Sequence, residues 1–197
     1  MIKLFNRYET SGIIVKDLGL KNYLNVSPII VPRTAGRNST VIIHRNKINI
    51  VERLINKLMV PGHRGKKHKL TSGHNTGKAS KAQKIVMEVF KIIEEKTKQN
   101  PLQVLVTAVE NAAPKDEITT IEYGGARYPQ AVETAPLRRI DVALRMMVQG
   151  SYQKSFGKKK TIVENLADEI LKAYNKDATS AAVAKKTELE RQADASR

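Results

Sequence analysis

The sequence predicts a mainly α protein: a single helical domain of about six helices with a protruding two-stranded antiparallel β-ribbon. Several segments repeat apolar residues at helical spacing, whereas residues 117–134 are the only stretch that reads as paired strands. A chain of 197 residues is long enough for one well-formed core. We expect residues 1–46 to form an extended N-terminal arm and residues 47–197 to form the helical body that carries the ribbon.

The charge is strongly positive and unevenly placed. The chain has 35 Lys and Arg against 19 Asp and Glu, a formal net charge of +16. Residues 33–84 hold thirteen basic residues and one acidic residue, residues 135–160 hold seven and one, and the stretch between these blocks is net acidic. Such concentrated blocks are typical of surfaces that bind phosphates.

The first 46 residues show no long helical period, because glycines and prolines interrupt it. Two short runs, residues 13–15 and 29–31, fit either strands or an arm lying on a surface. One helical turn is expected near residues 18–24.

The first helix of the body is predicted to follow the arm, with Asn49 as its candidate N-cap. Its apolar face consists of Ile48, Val51, Leu54, Ile55 and Leu58. Arg53 and Lys57 fall on the other side of this helix, where we expect them to be available to a partner.

Two further helices follow a polar, basic loop. One runs near residues 78–98, and its buried stripe consists of Ala82, Ile85, Val86, Val89 and Ile93. The next begins with Asn100 as cap and Pro101 at the first helical position, and Pro114 closes it. Its apolar residues are Leu102, Leu105, Val106 and Val109.

The ribbon is indicated by β-branched and aromatic residues on both sides of Gly124 and Gly125, which can take the positive φ of a two-residue turn. Two cross-strand pairs are expected beside the turn: Glu122 with Arg127, and Ile121 with Tyr128. A lone two-stranded ribbon is only marginally stable in water. We therefore expect it to lean on a helix or to insert into a partner.

Three helices are predicted after the ribbon. Pro136 opens the first, which should end between Gly150 and Gly157 and turns Ile140, Ala143, Leu144 and Met147 inward. A capping box from Thr161 to Glu164 starts the second, whose apolar residues are Ile162, Val163, Leu166, Ile170 and Leu171. Residues 177–197 form a last, marginal helix that depends on docking.

Residues 73–80 resemble a phosphate-binding P-loop, because two glycines and Lys78 precede a helix. A Walker A loop needs four residues between its glycines and a Ser or Thr after the lysine. Here three residues intervene and Ala79 follows Lys78, so nucleotide hydrolysis is not predicted. Backbone N–H groups at this helix start, with Lys78, suit a single nucleic-acid phosphate.

Catalytic and metal chemistry find little support. His63, His68 and His74 share one loop, but the sequence has no cysteine and no nearby carboxylate to complete four zinc ligands. No nucleophile with an orienting base stands out. We predict no enzyme activity, no cofactor and no metal, and interpret Glu94-Glu95 and Asp168-Glu169 as solvated helix faces and Met146-Met147 as core.

No window approaches the roughly 20 apolar residues of a membrane span, and the N-terminus has no sustained apolar region. We therefore expect a soluble, intracellular protein that does not bind a membrane. No homo-oligomer is expected.

Six motifs in this order resemble the family of the seventh small-subunit ribosomal protein, here the S-seven family. They are residues 49–59 (NIVERLINKLM), Gly77-Lys78 before a helix, Asn100-Pro101-Leu102, Val109-Glu110-Asn111-Ala112-Ala113-Pro114, Gly124-Gly125 before Tyr128, and Pro136-Leu137-Arg138-Arg139. The resemblance covers residue 47 to the end, and the last three motifs are highly specific. It implies a helical domain with a protruding ribbon that binds the 3′ major (head) domain of small-subunit rRNA in the cytoplasmic ribosome and helps to nucleate head assembly. It also implies a border with the E-site tRNA and the mRNA exit path, and contacts with neighbouring ribosomal proteins.

The resemblance assigns rRNA contacts to the basic loop before Lys78, to residues 158–160, and to Arg138 with Arg139. With the two basic blocks, the candidate rRNA-binding residues are Arg33, Arg37, Arg45, Lys47, Arg53, Lys57, Arg64, Lys66, Lys67, Lys69, Lys78, Lys81, Arg138, Arg139, Arg145, Lys154, Lys158, Lys159 and Lys160. The ribbon tip implied to lie near tRNA and mRNA consists of Tyr123, Gly124, Gly125, Arg127 and Tyr128. Base stacking and cross-strand packing fit the two tyrosines equally well.

Two departures from the family pattern matter. Ala79 stands where the family often has a second basic residue, which leaves one phosphate contact open. Residues 61–76 are an insertion relative to bacterial members, and with the N-terminal arm and the chain length they indicate the archaeal type.

The alternative function is that of a DNA-binding regulator, because helices plus a hairpin also describe a winged helix. However, no short helix-turn-helix precedes the ribbon, and the arginine pair follows it.

Overall fold

A computed structural model describes residues 2–62 and 75–197 of the chain. In these ranges the elements are α1 Leu18–Lys21, a 3₁₀-helix Ile42–Lys47, α2 Ile50–Leu58, α3 Ala79–Thr97, α4 Pro101–Ala112, β1 Asp116–Tyr123, β2 Ala126–Glu133, α5 Pro136–Ser155, α6 Ile162–Tyr174 and α7 Ala181–Asp194. The mainly α class with one antiparallel ribbon is confirmed. The predicted loop cations Arg64, Lys66, Lys67 and Lys69, and His63, His68 and His74, lie outside the described residues.

The core is built from aliphatic side chains of α2 to α6, with α6 packed against α3, α4 and α5. Phe90 on α3 is fully buried in it, and the rings of Phe5 and Tyr8 meet its ring edge-on at centroid distances of 6.3 and 5.7 Å. The predicted stripe of α3 is confirmed at Ala82, Val86, Val89 and Ile93, whereas Ile85 is only partly buried. Phe90 was not predicted, because its partners come from the distant N-terminal segment.

The N-terminal segment lies on the body and contributes to its core. Leu4, Tyr8, Leu20 and Leu24 are buried in the same cluster as the helices. Residues 13–15 lie outside any helix or strand, and the Gln103 side chain both accepts from the Ile14 N–H at 2.9 Å and donates to its carbonyl at 3.0 Å. Residues 29–31 are likewise outside the strands. The division of the chain at residue 46 stays a prediction.

The predicted helix starts are confirmed. The side chains of Asn49 and Asn100 accept hydrogen bonds from the N–H groups of Val51 and Leu102 at 2.9 and 3.0 Å. Thr161 and Glu164 form the reciprocal capping box. These caps satisfy helical N–H groups that have no partner within the helix. They depend only on neighbours in sequence, which is why the sequence revealed them.

The ribbon has the predicted register. Ile121 pairs with Tyr128 and Glu122 pairs with Arg127, whose side chains approach to 3.5 Å. Gly124 and Gly125 have φ values of 58° and 82°, which residues that carry a Cβ atom rarely adopt. The ribbon is exposed along most of its length.

The helix on which the ribbon leans is α7. The helix packs against both strands, the Lys115 backbone N–H donates to Glu190 of α7 at 3.0 Å, and Arg197, just after α7, pairs with Asp116 at 2.6 Å. The helix predicted to be marginal is therefore docked, and it supports the base of the ribbon.

The docking of α7 overturns one interpretation. Glu169, predicted to lie on a solvated face, is fully buried: its carboxylate accepts from Lys154 at 2.8 Å, from the Ser180 hydroxyl at 2.7 Å and from the Ala182 N–H at 3.3 Å. A carboxylate at a helix N-terminus is favoured by the helix dipole. The solvated interpretation was wrong at this residue because α7 covers it.

Candidate nucleic-acid interface

Most of the candidate cations in the described ranges are exposed. They are Arg33, Arg37, Arg45, Lys47, Lys78, Lys81, Arg138, Arg145, Lys158, Lys159 and Lys160. Lys57, Arg139 and Lys154 are partly buried, and Arg53 is buried. The structure therefore divides the predicted set into cations that are exposed and cations that the protein covers partly or fully.

Four charged side chains from three elements meet at one place, which we call the Asp141 cluster: Arg45 of the 3₁₀-helix, Arg53 and Lys57 of α2, and Asp141 of α5. The Asp141 carboxylate lies 3.7 Å from Arg45, 3.2 Å from Arg53 and 3.6 Å from Lys57. The structure thus joins cations of the first basic block to the second basic block.

Arg53 does not lie on the outward side of α2 as predicted. Its side chain is only 5% exposed, and its guanidinium donates to the carbonyls of Tyr23 and Leu137, both at 3.3 Å. Arginine is suited to such a site because its planar fork satisfies several acceptors at once. The spacing of apolar residues in α2 did not reveal that the chain around Tyr23 and Leu137 covers this face of the helix.

The cluster holds positive charge where it is poorly solvated. Burial lowers the pKa of Lys57; Asp141 opposes this shift, and the nearby cations Arg145 and Arg53 add to it. Burial also lowers the pKa of Arg53, again opposed by Asp141. A bound anion near these two groups would oppose both downward shifts of the pKa, as Asp141 does.

The two arginines at the start of α5 have different environments. Arg139 pairs with Asp17 at 2.7 Å and donates to the Pro114 carbonyl at 3.1 Å, so it ties α5 to the N-terminal segment and to the chain before the ribbon. Arg138 reaches Glu117 at 2.6 Å but keeps a 65% exposed side chain. Arg138 is therefore the member of the pair that faces solvent at the ribbon base.

The Asp17 carboxyl responds to this contact. Burial raises its pKa, but the hydrogen bond and charge of Arg139 outweigh burial, with help from the Gly19 N–H, and the net shift is downward. The ion pair thus stabilises the folded protein in the charged form of Asp17.

A second group of cations lies between α5 and α6. Lys158, Lys159 and Lys160 are all exposed in the short connection, and Lys160 lies 4.0 Å from Asp168. Lys154 instead points to the buried Glu169. The three consecutive lysines therefore remain open to a polyanion, whereas Lys154 also has a structural contact.

The first basic block reaches the start of α3. A cavity of about 320 Å³ is lined by residues 32–36, by Asn56 of α2 and by Gly77 and Ala79. This places Arg33 on the same side of the molecule as the helix start that carries Lys78.

The ribbon tip is exposed and nearly free of net charge. Tyr123 is 82% exposed and lies opposite Ala126, whereas Tyr128 is 59% exposed and lies opposite Ile121. Cross-strand packing is thus available to Tyr128, and Tyr123 has only a small neighbour. Whether either ring stacks on a base stays a prediction.

Asp141 is the residue that sequence reasoning missed. It is the single acidic residue among the eight charged residues of block 135–160. That isolation was a usable signal, since a lone carboxylate in a basic block is placed to contact several cations.

Residues 2–62 and 75–197 contain neither a candidate metal-ligand cluster nor a helix able to span a membrane. No group of three or more histidine or acidic side chains there could hold a metal ion. No helix in the same ranges combines the length and hydropathy needed to cross a membrane.

Comparisons with known proteins place this arrangement in a family. The family model described as "Ribosomal protein S7p/S5e" matches residues 21–197. The chain is 50% identical over 196 residues to the small ribosomal subunit protein uS7 of Nanoarchaeum equitans, covering 100% of this chain and 99% of that protein. It is 44% identical to the uS7 protein of Archaeoglobus fulgidus (98% and 94% covered) and 45% identical to that of Methanosphaera stadtmanae (96% and 95% covered). The chain therefore belongs to the ribosomal protein S7p/S5e family, as the resemblance in the sequence indicated.

Proposed function

We propose that this protein binds the head domain of small-subunit rRNA through the cations of its helical body and presents its ribbon to the E-site tRNA and the mRNA path. Membership of the S7p/S5e family makes it a structural component of the small ribosomal subunit at work in the cytoplasmic ribosome, and not an enzyme. Its partners are rRNA and other ribosomal proteins. The proposal consists of two finer assignments: the helical body binds the head-domain rRNA, and the ribbon lies at the tRNA and mRNA path.

The observation that carries the proposal is the separation of charge. Exposed cations lie on residues 33–47, at the start of α3, on α5 and between α5 and α6, whereas the ribbon tip has one Arg paired with one Glu. Phosphate contacts supply most of the affinity in nucleic-acid binding. The body is therefore suited to hold RNA backbone, and the ribbon to act at a neighbouring site.

The ribbon is suited to contact with single-stranded or loop nucleotides. It is held at its base by α7 and projects two exposed tyrosines beside a turn. Aromatic rings stack on unpaired bases, and they need no nearby cation to do so. This supports the assignment of the tip to tRNA or mRNA and leaves the rRNA grip to the body.

Binding to a head-domain rRNA fragment at several salt concentrations tests the proposal. The logarithm of the affinity should fall linearly with the logarithm of the salt concentration, by roughly 0.7 to 0.9 for each phosphate contact. A salt-independent affinity would contradict it. Duplex DNA of equal length serves as the competitor at physiological salt, and preference for the duplex would favour the DNA-binding alternative.

A further inference from the structure

The Asp141 cluster contains more positive charge than its one carboxylate can balance. Three cations from two separate elements surround Asp141 within 4 Å. A fourth, Arg145, lies one helical turn further along α5, is exposed, and is close enough to Lys57 to lower its pKa. Such an excess suits an anionic ligand.

The three cations in contact with Asp141 differ in burial and in the number of protein acceptors that they contact. Arg53 is buried and donates to two backbone carbonyls in addition to Asp141. The side chains of Arg45 and Lys57 are 44% and 28% exposed. Arg53 therefore anchors the cluster in the protein, while Arg45 and Lys57 are more exposed than Arg53 and no hydrogen bond from them to a backbone carbonyl is among the described contacts.

We propose that Asp141 is a positioning residue that holds Arg45 and Lys57 ready to bind one backbone phosphate of RNA between them. This inference rests on the proposed rRNA-binding function. The guanidinium of Arg45 and the ammonium of Lys57 would each donate to a non-bridging oxygen of the same phosphodiester.

Two physical effects of Asp141 on RNA affinity have opposite signs. Its negative charge repels an approaching phosphate, which weakens binding. Its ion pairs restrict two long side chains before RNA arrives, and ordering each such side chain on binding would lower the affinity by roughly twofold to twelvefold. We expect preorganisation to be the larger effect. A substitution of Asp141 should therefore lower the RNA affinity, whereas dominant repulsion would make the affinity rise.

The test is Asp141→Asn in the full chain, measured for affinity to the head-domain rRNA fragment. Repulsion alone predicts tighter binding, because one negative charge leaves a basic surface. Positioning predicts weaker binding, by roughly fivefold or more. The matched control is Asp194→Asn on α7, an exposed residue paired with Arg197 and outside the cluster, which should bind as tightly as the wild type. Equal or tighter binding by Asp141→Asn overturns the inference.

A second measurement separates positioning from a general loss of structure. In a chain that carries both Arg45→Gln and Lys57→Gln, the further change Asp141→Asn should no longer weaken RNA binding. Only the repulsion by Asp141 is left to remove, so the affinity should stay equal or rise slightly. An unchanged loss in that background would show that Asp141 acts only through the fold. Thermal unfolding of each variant checks that the domain is intact.

Asp141→Glu covers the case in which the asparagine variant does not fold. It keeps the net charge and displaces the carboxylate by one methylene, so positioning predicts weaker RNA binding and equal binding overturns it. If the wild-type protein itself showed no salt-dependent rRNA binding, the proposed function would fail. If the wild type binds and the Asp141 variants bind equally well, only the present inference fails.

Discussion

The helical body buries most of its apolar side chains and exposes most of its charge, whereas the ribbon exposes both kinds of side chain. Phe90 and Leu54 in the body have no accessible surface, while Ile121 and Tyr123 in the ribbon are about half and four-fifths exposed. The ribbon is held by its turn, its cross-strand hydrogen bonds and α7 at its base. From this difference we expect substitutions at the ribbon tip to leave the core intact, whereas substitutions of buried side chains in the body should destabilise it.

The largest contrast is expected between two aromatic truncations. Phe90→Ala should lower the free energy of unfolding by about 3 to 5 kcal/mol, because it leaves a cavity in the core. Tyr123→Ala at the ribbon tip should change it by about 0.5 kcal/mol or less. Urea denaturation of both variants measures this, and similar losses would show that the ribbon is part of the main cooperative unit.

A smaller effect is expected at the contact between the N-terminal segment and α5. Asp17→Asn removes the charged acceptor of Arg139 and should cost about 1 to 3 kcal/mol at neutral pH. Because the folded-state pKa of Asp17 lies below its ordinary value of 3.8, the stabilisation is present above that value and is lost as the pH falls through the folded-state pKa. Wild type and variant should therefore converge in stability in strong acid.

Thermal unfolding of the two proteins between neutral pH and pH 2 checks this convergence. In an Arg139→Gln background, the change Asp17→Asn should leave the pH profile of unfolding almost unaltered. A difference that stays constant down to the lowest pH would contradict the assigned ion pair.

The smallest effect on the body is expected from the ribbon turn. Replacing Gly124 and Gly125 by Val forces β-branched residues into positive φ, at roughly 1 to 2 kcal/mol of local strain per residue. The strain falls on a turn that can open without disturbing the core, so the melting temperature of the body should hardly move. tRNA or mRNA handling should suffer while rRNA binding survives.

Asparagine at the same two positions is the matched control, because it tolerates the left-handed region. The Asn variant should retain the ribbon and its activity in translation. Equal loss of rRNA binding and translation in the Val variant would show that the turn belongs to the main RNA anchor.

Features that depend on neighbours in sequence were predictable. The caps at Asn49 and Asn100, the capping box at Thr161 and the register across Gly124-Gly125 follow from short-range chemistry, and the structure confirms them. The family motifs also lie in short, contiguous stretches.

Features that depend on docking were not predictable. Arg53 is buried because chain segments 30 and 84 residues away supply its acceptors, and Glu169 is buried because α7 folds over it. The packing of Phe5 and Tyr8 on Phe90 has the same origin. In each case the side chain type fitted two environments, and only the tertiary contact selected one.

The central claim is that the body grips rRNA and the ribbon does not. A chain lacking residues 119–122 and 127–130 tests it directly: four residues leave each strand, so the alternation of faces and the Gly-Gly turn are kept. The removed segments contain one Glu and one Arg, so the net charge is unchanged. We predict a head-domain rRNA affinity within about twofold of the wild type and the same salt slope. A tenfold or greater loss of affinity would contradict the account.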